Sequence, residues 1–151
     1  ELDLVFVISS HEIEMPIQKV PLFTSNMVMV VSKNHALASL DKIAFKKIEE
    51  IPLILPGKGS NSREYVGELF NKFKMKPKIS IELQSIHALL QMVENSDWAT
   101  IVAEMALKDW GNLKAIQITG VSTKRDSYML TMGGYQKKAV KLFMEEFKKS
   151  I

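Results

Sequence analysis

Leu53-Ile54-Leu55-Pro56-Gly57-Lys58-Gly59-Ser60-Asn61-Ser62-Arg63 is the stretch that decides the fold. Three consecutive apolar residues read as a buried strand, and Pro56 with Gly57 ends it. A helix start follows, with Asn61 placed to cap and Glu64 three residues on. Val66, Leu69, Phe70 and Phe73 then recur at the spacing of one buried helical face, and Pro77 is expected to stop the helix.

The same unit returns downstream. Ile79 and Ile81 alternate as a strand, Ser85 is a second cap, and Ile86, Leu89, Leu90 and Val93 form a second helical stripe. Thr100 to Val102 read as the next strand, and Leu113 to Ile118 and Ser127 to Met132 as further extended segments. Gly133 and Gly134 mark a boundary before a closing helix carrying Ala139, Val140, Phe143 and Phe147. Upstream, Val5 to Ile8 form an apolar run that suits a strand buried on both faces. Pro21 to Val31 read as extended, and Lys42 to Glu50 as a short helix. Alternating strands and helices predict the α/β class with a mostly parallel sheet.

Composition narrows the function. The chain has 151 residues, 46% hydrophobic and 25% charged, enough for one domain or two small lobes. A net charge of +3, spread along the chain, gives no case for nucleic-acid contact by these residues themselves. The absence of cysteine excludes disulfides, thiolate metal sites and a cysteine nucleophile. No apolar run approaches the roughly 18 residues of a membrane span, and no basic leader is visible, so a cytoplasmic protein is expected.

The glycines around Lys58 invite a nucleotide reading that the spacing does not support. Ser62 stands where a dinucleotide fingerprint needs its third glycine, and Lys58 precedes Gly59 and Ser60 without a Walker loop's upstream glycine. A turn and a cap is the plainest reading. A second is an anion site, since Ser60, Asn61, Ser62 and Arg63 present N–H groups, hydroxyls and a guanidinium at a helix start. His11, His35 and His87 lack metal spacing, and His87 near a capping serine reads as a solvent-facing or locally bonded imidazole. Glu49–Glu50 and Glu145–Glu146 diverge on their helices and read as solvated charges. Trp98 reads as core packing, with ligand stacking as the alternative. No metal, cofactor or catalytic group is expected.

Taken in order, the stretches ELDLVFV (1–7), PLFTSNMVMVVSKNHALA (21–38), PLILPGKGSNSR (52–63), IELQSIHALLQMVE (81–94) and WATIVAEMAL (98–107) resemble the signatures of the LysR-type regulatory domain. Ala36, Trp98 with Ala99, and Ala103 depart from the family's usual residues. The resemblance implies a fold like the type II periplasmic binding proteins, with two Rossmann-like lobes joined by a crossover hinge. One lobe would comprise 1–50 and 124–151, lacking its N-terminal part, and the other 51–123. It further implies a small polar or anionic effector held between lobes by Ser60, Asn61, Ser62, Arg63, Gln84, Ser85 and Thr100, with Val20 and Ser9 from the other lobe. It implies no catalysis, a homodimer or homotetramer, no membrane partner, and DNA bound only through a helix-turn-helix outside this chain. A transporter's solute-binding protein is the alternative of similar fold.

Overall fold

The computed structural model describes residues 4–9, 17–132 and 138–150. Glu1–Asp3, His11, Gly133 and Gly134 lie outside the described residues. The chain forms two compact units, Glu1–Ser25 with Lys124–Ile151, and Asn26–Thr123. The resemblance implied a boundary at residue 50. Residues 26–50 instead have their sheet and core partners in the second unit, as follows.

In the first unit, β1 (Leu4–Ser9) runs antiparallel to β8 (Lys124–Met132), which also neighbours the early part of β2 (Ile17–Ser32). Helix α3 (Lys138–Ser150) closes the unit. Of its side chains Met144 is buried among the described residues and meets Val20 and Met129, with Val140, Leu4 and Leu22 packed around them. β1 is not the doubly buried parallel strand expected from Val5 to Ile8. Its partner is antiparallel, and Phe6 and Ile8 are 49% and 39% exposed. Antiparallel sheets tolerate one open face. Phe6 packs against Phe143 and Phe147 of α3, with centroids 6.3 and 5.2 Å away, yet Phe143 too remains exposed.

In the second unit, the later part of β2 pairs antiparallel with both β6 (Thr100–Ala103) and β7 (Leu113–Thr119). β3 (Lys42–Ala44) runs parallel to β7. β4 (Leu53–Pro56) runs parallel to β5 (Ile79–Leu83), and a parallel bridge from Leu53 to Ala99 ties β4 to β6. The sheet is thus mixed, not mostly parallel, because β2 meets both of its neighbours here head to tail. Lys42 to Glu50 is not one helix but β3 followed by a 3-10 helix, Phe45–Glu50. The apolar residues explain it: Ile43 and Phe45 alternate as in a strand, and Phe45 and Ile48 are three apart, the 3-10 repeat.

Two core clusters lie in this unit. One joins Phe45 and Ile48 to Val66, Leu69 and Phe70 of α1 (Asn61–Lys72), with the Phe45 and Phe70 rings edge to face at 4.9 Å. The other joins Val28, Val30 and Ile54 to Leu89, Leu90 and Val93 of α2 (Ile86–Glu94). The two predicted helical stripes are therefore the buried faces, although Ile86 and Phe73 sit at their margins. α1 ends at Lys72, before Pro77, where Lys74 takes a positive φ of 54°. Trp98 packs against the second cluster, as core.

Candidate functional site

Parallel strands β4 and β5 deliver two helix starts to the same edge of the sheet. Pro56 is level with Leu83, and the Gly57 N–H donates to the Leu83 carbonyl at 2.8 Å. Beyond that rung each strand turns into a helix. The Ser60 hydroxyl accepts from the Arg63 N–H and the Ser85 hydroxyl from the Ala88 N–H, both at 3.3 Å. Ser60, not Asn61, is therefore the first cap. Gly59, at φ 87°, reverses the chain just before it and leaves Ser60 extended, the conformation an N-cap needs. Asn61 begins the helix and is exposed.

The two starts touch. A Cβ on Gly57 would stand 2.4 Å from Gln84 Nε2, so the glutamine amide lies directly over this glycine. Gln84 and Ser85 are exposed, and Ser60 and Ser62 are partly so. Each helix leaves its first N–H groups without intrahelical acceptors and carries partial positive charge at this end. Glu64 offsets part of that charge in α1, whereas α2 has no acidic residue in its first turn.

Arg63 contributes differently from the expectation. Its Nε and Nη2 both donate to Glu82 Oε1, at 3.2 and 3.0 Å, and its side chain is only 15% exposed. The guanidinium is committed to β5, and what Arg63 offers the helix start is its backbone N–H. Thr100 is fully buried, with no hydrogen-bond partner for its hydroxyl, so it lies within the protein and not on the polar surface of the helix starts. Val20 packs in the core of the first unit, and Ser9 ends β1 opposite Asp126. Sequence reasoning missed Gly57 and Glu82. Gly57 was legible as a turn residue and as the first glycine of an incomplete dinucleotide fingerprint, not as the seat of Gln84, and nothing local to Glu82 pointed to Arg63, 19 positions away.

His87 is exposed beside Trp110, with ring centroids 5.2 Å apart. His35 is held in its turn, with Nδ1 accepting from the Leu37 N–H and Nε2 next to the Asp97 carbonyl. Among the described residues, no group of histidine and carboxylate side chains is arranged to hold a metal ion, and no helix is long and apolar enough to cross a membrane.

Across residues 1–151 the chain matches the family described as the LysR substrate binding domain. It belongs to that family. The HTH-type transcriptional activator CmpR of Synechocystis is 27% identical over 114 residues, which is 74% of this chain and 36% of the activator. This LysR domain thus spans about a third of that curated relative. The regulatory domain of Synechocystis CcmR in complex with 2-PG superposes with a TM-score of 0.84 at 22% identity, covering 96% of this chain and 71% of the other. The effector binding domain of QuiR in complex with shikimate gives 0.79 at 26% identity, covering 96% and 69%. The fold is that of these effector-binding domains, the type II periplasmic-binding-protein-like arrangement.

Proposed function

We propose that this LysR-family domain senses a small anionic or strongly polar metabolite at the adjoining starts of α1 and α2, and belongs to a cytoplasmic transcriptional regulator. The observation that carries the reading is the contact of Gln84 with Gly57, which sets two capped helix starts side by side at the ends of parallel strands. Helix starts at the C-terminal edge of an α/β sheet are where ligands of this fold class bind, because free N–H donors converge there. The hydroxyls of Ser60 and Ser85 each accept from the backbone and keep their own protons to donate.

The CcmR regulatory domain is in complex with 2-PG and the QuiR effector binding domain with shikimate, and these small anionic ligands support the charge of the proposed effector. The name of CmpR supports a helix-turn-helix partner domain and a role in transcription. Binding acts on DNA recognition only through a difference in affinity between conformational states. The domain performs no turnover in this reading, and the full protein assembles as a homodimer or homotetramer. The family match favours a regulator over a transporter's solute-binding protein.

A thermal-shift panel of carboxylates, phosphate esters and sulfur oxyanions tests the reading, with Ser60→Ala and Ser85→Ala in parallel. A ligand that stabilises the parent protein is expected to lose most of its effect in both variants. Equal stabilisation of all three proteins sinks the site, and a ligand chemically altered after incubation sinks the non-catalytic role.

A further inference from the structure

Among the described residues, strand β3 is an outer strand of the second unit, paired with β7, and its side chains alternate: Ile43 is buried while Lys42 and Ala44 are exposed. Beside it lies a cavity of about 830 Å³. Leu37, Leu40, Ile43 and Ile51 give it an apolar lining. Ile43 belongs to the first core cluster, and Leu37 and Ile51 pack against it, so the floor is anchored to the core. Leu40 is 37% exposed, an open apolar wall.

Lys42, Lys46 and Lys47 line the same cavity, against one acid, Glu50. The neighbouring acids are already engaged. Asp41 is paired with Lys114 at 2.9 Å, and Glu49 accepts from the Lys76 backbone N–H at 2.9 Å. Among the described residues, none of the three lysines forms a salt bridge.

We propose that this groove is a second ligand site, for an amphiphilic organic anion whose apolar body lies on the leucine and isoleucine floor and whose carboxylate or sulfonate head sits among the lysines. The volume falls in the range of small-molecule sites, and an apolar lining with a few charged groups is their usual composition. A purely polar anion gains nothing from the floor. A neutral hydrocarbon gains nothing from the lysines. None of the lining residues belongs to the helix starts at Ser60 and Ser85, so variants separate the two sites.

The test is calorimetry on the whole chain with decanoate, below its micelle concentration, and with decyltrimethylammonium as the cation of equal length. Decanoate is expected to bind, more weakly at high salt, and the cation to bind poorly. The Lys42→Gln/Lys46→Gln/Lys47→Gln variant should weaken decanoate about tenfold, since three exposed charge contacts are removed. Leu40→Asp should abolish binding, while Ser60→Ala and Ser85→Ala leave it unchanged. Any of three results overturns the proposal: no decanoate binding, equal binding by the triple-lysine variant, or equal binding of the cation. Capture at this surface of an acidic, leucine-rich peptide in place of decanoate overturns it in favour of a protein partner.

Discussion

Gln84 lies across Gly57, with its Nε2 in the space a Cβ would take, 2.4 Å from the ideal position. The obstructing atoms are the end of a flexible side chain, so Gly57→Ala is expected to displace the amide without disrupting the fold. Stability should change by less than about 1 kcal/mol, while effector affinity falls with the misplaced glutamine. In a Gln84→Ala background the Gly57→Ala change should have little further effect on affinity. Additive losses in that double-mutant cycle contradict the contact.

Arg63 and Glu82 join the first turn of α1 to β5 through a single carboxylate oxygen. Glu82→Gln leaves a mostly buried guanidinium without its counter-charge, and a loss of about 1 kcal/mol is expected in urea titration, since the pair is only partly shielded. No loss would mean that water compensates the charge.

How much of this was legible in the sequence depended on whether a local signal had one interpretation. Ser85 stands alone before an apolar stripe, and it caps where expected. Ser60, Asn61 and Ser62 are three cap-competent residues in a row, and only the left-handed Gly59 selects among them. Val5 to Ile8 announced a strand but not its partner, because an apolar run has no period to show which face is open. The resemblance implies a boundary at residue 50, whereas the division into units falls at Ser25 and Asn26 within an uninterrupted strand β2. The Arg63–Glu82 pair and the burial of Thr100 are long-range outcomes with no local trace.

Thr100 has a hydroxyl buried without a partner. Thr100→Val replaces it by a methyl of similar size, and removing an unsatisfied polar group is expected to raise stability by about 1 kcal/mol, read as a higher Tm. A fall in Tm would show that the hydroxyl has a role inside the core.

Asp126 accepts from the Thr24 hydroxyl at 2.6 Å, and this bond, ahead of the nearby Lys124 charge, holds its carboxyl below the usual range. Asp41 is held low by its hydrogen bond and charge contact with Lys114. A depressed folded-state value stabilises the protein above the unfolded carboxylate pKa of about 3.9 and ceases to do so as pH falls through the folded value. Acid titration monitored by circular dichroism should therefore show Thr24→Val and Lys114→Gln with less stability lost below about pH 4 than the parent. Added salt should mute the Lys114 effect. Parallel acid profiles for all three proteins contradict the assignment.

Cap loss and anion binding are confounded in an alanine variant, because Ser60→Ala removes a cap worth about 1 kcal/mol as well as a donor. Aspartate separates them: it caps a helix start as well as serine does, and its charge suits the helix dipole but repels an anion. The most direct measurement is the effector dissociation constant of Ser60→Asp and Ser85→Asp, taken beside their melting temperatures. Melting temperatures at or above the parent's, with effector binding lost in both variants, are predicted. Undiminished binding of an anionic effector by both would contradict the account.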